Sequence, residues 1–184
     1  AVMPEGERDF THWADNIQAM KAAVNVPVVV KGVGFGMSRN DLLELKTLGI
    51  ETIDVAGSGG TNFITIENAR RSYPLDGFNG YGFSTVESLL EAQSVKDVDI
   101  LASGGIRNAY DVVKALSFGA NAVGLSRFFL KLVIDHELDH AETILDTFLS
   151  DIRKIMALLG VKNVKELQGL TPILDPSLEA FASR

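Results

Sequence analysis

ILASGGIRNAYDVVKALSFGANAVGLSR, residues 100–127, decides how the rest of the chain is read. A short apolar run ends in Ser103, Gly104 and Gly105. An amphipathic segment follows, opened by Asn108 and stopped by Gly119, and a second apolar run ends at Ser126 and Arg127. Asn is a strong helix N-cap and Gly a common terminator, so the middle segment is a helix between two strands. Consecutive strands joined by a helix lie parallel, with a right-handed crossover.

The same unit recurs on the N-terminal side. Residues 26–33, VPVVVKGV, form a near-continuous β-branched run, as expected for a parallel strand covered on both faces. Ser38 and Asp41 have the spacing of a capping box, Leu42, Leu45 and Leu48 follow, and Gly49 ends the helix. TIDVAG (52–57) is the next strand and GSGGTN (57–62) a glycine-rich loop. The stretch from there to FNGYGF reads as irregular, and STVESLLEAQSV (84–95) as a helix before the strand VDILAS (98–103). The last strand is NAVGLS, residues 121–126. Before all of these, Trp13, Ile17 and Met20 share one helical face. After them, Ile144, Leu145, Phe148, Leu149, Ile152, Ile155, Met156 and Leu159 form a long apolar stripe, and Asn163 caps a short final helix. Four strands alternating with helices specify an α/β fold. Two architectures fit, an open doubly wound sheet or half of a (β/α)8 barrel; a full barrel needs about 250 residues and the chain has 184. No linker or low-complexity segment divides residues 1–184, which read as one domain.

Composition narrows the function. The formal net charge is −7, opposite to the basic surface that nucleic-acid binding requires. The chain has no cysteine, which removes disulfides, thiolate metal sites and cysteine nucleophiles and suits a cytoplasmic protein. No apolar run is long enough for a membrane span. The opening AVMPEGERDF lacks the pattern of a signal peptide and has the look of a loop within a longer protein.

Every chemically suggestive residue follows a strand. Lys31 ends the first, Gly57–Asn62 follow the second, Gly104–Arg107 the third, and Ser126 and Arg127 the fourth. Ligands of α/β proteins collect at strand carboxyl ends. Glycines there let backbone N–H groups approach phosphate oxygens, and a helix N-terminus adds a favourable dipole. SGGIRN is thus a candidate phosphate cradle, and Ser126 with Arg127 supplies a hydroxyl and a cation beside it. Ordinary turn glycines and a solvated lysine are the plainer readings; the recurrence at several strand ends favours a ligand. His12, His136 and His140 fall on expected helices and read as structural or surface residues; Glu67 and Asn68 as polar ligands or a helix start; and RSYPLDGFNGYGF as a lid or an irregular connection.

With these residues in place, the chain resembles the C-terminal half of type 2 isopentenyl diphosphate isomerase. The segments that carry the likeness are MPEGERDF, VPVVVKGVGFGMS, DVAGSGGTNFITIENAR and ASGGIRNAYDVVKALSFGANAVGLS, in that order. The resemblance implies a (β/α)8 TIM barrel binding FMN, with this chain covering strands five to eight and the C-terminal helices. It implies that Lys31 faces the flavin and that Thr61 contacts it. It places Gly105, Ile106 and Arg107, with the neighbouring Gly104, in the FMN phosphate segment, and Ser126 with Arg127 on the second phosphate strand. The implied activity is interconversion of isopentenyl and dimethylallyl diphosphate with reduced FMN, NADPH as reductant and Mg2+, in a homo-oligomer. Three positions depart from the family: Ala56 stands where Ser is common, Ser126-Arg127-Phe128 where Ala-Gly-Pro is, and Tyr81 where Trp is. The family's Asn-x-x-Gln-Glu segment, whose Gln touches substrate and whose Glu binds Mg2+, its N-terminal Arg-Lys motif and its first four strands have no counterpart here. The expectation is therefore a partial form, inactive alone, with no catalytic residue and no metal ligand within the chain. Two alternatives stay open: an FMN-dependent oxidoreductase of the hydroxy-acid oxidase type, which uses a histidine base at a barrel loop, and a non-catalytic, self-associating half-barrel.

Overall fold

The computed structural model describes residues 9–74 and 76–183; the opening segment read above as a loop lies outside them up to residue 8. Four strands, β1 (Val29–Lys31), β2 (Thr52–Asp54), β3 (Asp99–Ala102) and β4 (Ala122–Val123), form one parallel sheet in the order β1-β2-β3-β4. The connections carry helices α2 (Arg39–Thr47), α3 (Phe63–Arg70), α4 (Thr85–Ala92) and α5 (Ala109–Ser117). This sequential parallel order, with a helix behind each step, is that of half a (β/α)8 barrel; a doubly wound sheet would reverse its strand order at a switch point.

The helices start where capping chemistry dictates. Ser38 and Asp41 close the expected capping box on α2, and Ser84 with Glu87 closes another on α4. Asn108 caps α5 through the Asp111 amide at 2.9 Å. The core lies between the sheet and these helices, where Leu42, Ile53, Val55, Leu89 and Ala102 are almost fully inaccessible. A second cluster joins Val112, Val113 and Leu116 of α5 to Phe148, Ile152, Ile155 and Met156 of α7 (Leu138–Leu158), so half of the predicted stripe packs into it, while Leu149 and Leu159 stay exposed.

Five expectations need correction. The residues after GSGGTN are not irregular throughout: Asn62 accepts from the Thr65 amide at 2.9 Å and opens α3, a helix that buries only Ile64 and Glu67 and so carries no apolar stripe. The last strand stops at Val123; the Gly124 amide extends the ladder to the Ala102 carbonyl at 2.8 Å, and Ser126 is already the first residue of α6 (Ser126–Asp135). Of the face predicted on α1 (Trp13–Ala23), Ile17 packs on the core while Met20 stays exposed. Asn163 caps α8 (Val164–Gln168), but that helix is not the last: Asp175 caps α9 (Pro176–Ala182), with Pro176 at its first position. His140 sits on α7 as expected, whereas His12 precedes α1 and His136 follows α6.

Candidate functional site

All strands point the same way, so their carboxyl ends meet on one side. Backbone bonds continue the sheet into the loops there: Gly32 N–H to Asp54 C=O (2.9 Å), Gly36 N–H to Ala56 C=O (3.2 Å) and Gly57 N–H to Ser103 C=O (2.9 Å). The Thr85 hydroxyl, at the start of α4, lies 2.6 Å from the Gly104 carbonyl and 3.0 Å from that of Ser103, tying the glycine pair to the helix layer.

These loops surround a cavity of about 700 Å3, within the range of small-molecule and cofactor pockets, about 300–1,000 Å3. Lys31, Thr61, Gly104, Gly105, Ile106, Arg107, Ser126 and Arg127 all line it. Gly104 and Gly105 both have φ in the left-handed range, at +97° and +80°, and a Cβ on either would run into the backbone of Gly57 or Gly59. The two glycine loops are packed backbone against backbone, and any side chain would force them apart.

The cradle is narrower than SGGIRN suggests. The Arg107 amide donates to the Asp111 carboxylate at 3.0 Å and is not available to a ligand. Among the described residues, the Gly105 and Ile106 amides have no protein acceptor. The Arg107 guanidinium is anchored by the Gly59 carbonyl at 3.2 Å and remains exposed at the rim. Ser126 and Arg127 bring the uncapped first turn of α6, rather than a strand end, to the same cavity. Donor amides, a helix N-terminus and two guanidinium groups converge there, a donor set suited to a phosphate monoester. Phe63 and Ile66 of α3 supply an apolar wall.

At the carboxyl end of β1, on the same side of the sheet, Lys31 is paired. Its ammonium is 2.7 Å from Asp54 Oδ2 and 2.7 Å from Ser103 Oγ. The Ser103 hydroxyl lies 2.7 Å from Asp54 Oδ1, to which the Ala56 amide also donates at 3.1 Å. Asp54 was not singled out in the sequence. Its signal was there: a carboxylate inside an otherwise apolar strand core seldom stays buried without partners, and Lys31 ends the neighbouring strand.

Glu67 is buried on α3, with its carboxylate 3.5 Å from Arg70 and 3.4 Å from Arg71. No histidine lines the large cavity; His136 borders a smaller one with Lys131 and Phe128. Among the described residues no group of three or more His, Asp or Glu is placed to hold a metal ion. No helix among them is long and apolar enough to cross a membrane.

Residues 3–171 match the family model described as FMN-dependent dehydrogenase. The chain belongs to that family. Among curated relatives, an isopentenyl-diphosphate delta-isomerase of Staphylococcus saprophyticus is 44% identical over 98% of this chain and 52% of its own length. One from Latilactobacillus sakei is 47% identical over the same shares. The chain thus spans about half the length of the curated relatives it matches. Among solved structures, a mandelate oxidase variant aligns with a TM-score of 0.64 at 22% identity, covering 88% of this chain and 46% of that one. A flavocytochrome b2 aligns with a TM-score of 0.67 at 22% identity, covering 90% and 43%. These likenesses bear on the fold of this FMN-dependent dehydrogenase family member.

Proposed function

We propose that this chain is the FMN-holding half of an isopentenyl-diphosphate delta-isomerase, a partial form that does not turn over alone. The supporting observation is the convergence of Lys31, Thr61, the Gly104–Arg107 loop and the start of α6 on one cavity, in a chain 44% identical to such an isomerase along nearly its whole length. In this reading the Gly105 and Ile106 amides, Arg107, Ser126 and Arg127 hold the FMN phosphate, Thr61 contacts the flavin, and the Lys31 ammonium faces the ring. Bound and reduced, FMN supplies a group that exchanges protons with the substrate without net redox change. Lys31 lowers the cost of negative charge on that ring, and Phe63 and Ile66 exclude water from its side. NADPH as reductant, Mg2+ held by groups outside the described residues, assembly into a homo-oligomer and a cytoplasmic location complete the proposal.

The test is a fluorescence titration of the purified chain with FMN, followed by an assay converting isopentenyl to dimethylallyl diphosphate with the remaining half of the barrel supplied. Saturable FMN binding that Arg107→Ala and Gly105→Ala weaken is the expected result; binding unchanged by both would refute the site. The hydroxy-acid oxidase alternative needs a histidine base near the flavin, and His12, His136 and His140 all lie away from this cavity.

A further inference from the structure

Lys31 is half-exposed, at the mouth of a strand, where a lysine side chain would ordinarily sample many rotamers. Here it does not hang free. An ammonium is donor-only, an ionised carboxylate acceptor-only, and a hydroxyl both. That fixes every direction in the cluster: Lys31 donates to Asp54 and to Ser103, and Ser103 donates to Asp54. Two of the three ammonium hydrogens are used on protein acceptors. Among the described residues the third has none, and the side chain that carries it borders the large cavity. Asp54 is itself immobilised: it is buried, it belongs to β2, and its Oδ1 accepts from the Ala56 amide at 3.1 Å.

We infer that Asp54, with Ser103 as the bridge, is the positioning residue for Lys31, holding its ammonium so that a single N–H is offered to the cavity. The register supports this, since Lys31 and Asp54 are partners across the β1–β2 pair and the tether spans a single strand spacing. Asp54 also sets the charge offered: its carboxylate offsets much of the Lys31 cation as seen from a distance, leaving a local, directional donor rather than a diffuse positive field.

The tether itself does not depend on what fills the cavity. The redox consequence rests on the FMN reading proposed above. Two measurements separate them. In the flavin-free chain, competitive acetylation with acetic anhydride, read by mass spectrometry against the other lysines, reports how firmly Lys31 is held. Asp54→Asn and Ser103→Ala should each raise Lys31 labelling several-fold while circular dichroism is retained. Unchanged labelling in both variants would overturn the inference, whether or not FMN binds. In the FMN-loaded protein, Ser103→Ala, which removes the bridge and leaves every charge in place, should reduce the preference for reduced over oxidised FMN about tenfold, a potential change of about 30 mV for two electrons. Lys31→Ala should shift it the same way, and adding Ser103→Ala to Lys31→Ala should change nothing more. A full additional shift in the double variant would show that the Ser103 bridge does not act through Lys31. Failure of the unaltered protein to bind FMN would instead refute the proposed function, with the labelling still deciding the tether.

Discussion

At the level of single residues, position along a strand carried most of the site. Lys31, Thr61, Gly105 and Arg107 were recognisable because each follows an apolar run that must be a strand, and parallel strands put their ends together. What position could not convey was pairing. Asp54 looks like any strand residue until β1 and β2 are aligned and Lys31 falls beside it. Likewise, the loss of the Arg107 amide to Asp111 depends on the first turn of α5 folding back on the loop. The glycine pair offers the sharpest residue-level prediction. Gly105→Ala places a methyl group against the Gly59 backbone at φ +80°, and such strain costs about 1–3 kcal/mol. Urea denaturation should show a loss of that order, accompanied by weaker FMN binding. Gly119→Ala, also at positive φ but with open space around its added carbon, should lose stability while leaving FMN affinity unchanged. Equal effects on binding from the two substitutions would mean that the Gly59–Gly105 contact has no special bearing on the cavity.

At the level of elements, helices with a cap and a clear buried face were legible, and those without such a face were not. α4 and α5 announce themselves by Ser84 and Asn108 and by four and five buried positions, whereas α3, equal in length to α4, has its Asn62 cap but buries only Ile64 and Glu67. α9 had a readable signal, Asp175 followed by Pro176 at the first helical position, in a segment short enough to pass for a tail. The α4 capping box is testable by itself. The Ser84 amide donates to Glu87 at 2.6 Å and the Glu87 amide to Ser84 Oγ at 3.2 Å. Ser84→Ala should therefore cost about 1 kcal/mol in urea denaturation. It should also loosen Thr85, the next residue, which ties down the Gly104 carbonyl. At α9 the prediction concerns pH. The Ser177 hydroxyl first, and then the Leu178 amide, hold the Asp175 carboxyl below its ordinary range. A carboxyl depressed in the folded state stabilises the fold above its unfolded pKa, and that contribution is lost as pH falls through the lower, folded value. Protection of the Leu178 amide, taken relative to its intrinsic exchange rate at each pH, should be greatest above the usual carboxylate range and should fall on acidification, and Asp175→Asn should abolish that pH step.

At the level of the whole molecule, the sheet has two unsatisfied edges. Among the described residues, β1 and β4 each pair on one side only. Val26 and Val29 are exposed on the β1 flank, and Leu130, Val133 and Ile134 on α6 beyond β4. Unpaired strand edges bordered by apolar side chains are association surfaces. The first expectation is thus that the chain, studied alone, associates as its concentration rises in sedimentation velocity. Val133→Asp combined with Ile134→Asp should shift it toward monomer without loss of helix content; association unaffected by the pair would locate the contact elsewhere. The second expectation concerns chemistry. A diphosphate substrate brings several negative charges that must be offset by a metal or by cations close to the phosphates. Among the described residues no metal-holding group is assembled, and in the proposed reading Lys31, Arg107 and Arg127 are committed to the flavin ring and its phosphate. The substrate must also be held against the ring to exchange a proton, and the cavity is closed on one side only by the loops of these four strands. The chain alone should therefore bind FMN yet leave isopentenyl diphosphate unconverted, even with reductant and Mg2+ present. Supplying the other half of the barrel should restore conversion in proportion to the complex formed. Turnover by the chain alone at the rate of that complex would mean that the groups neutralising the diphosphate lie among the residues described above.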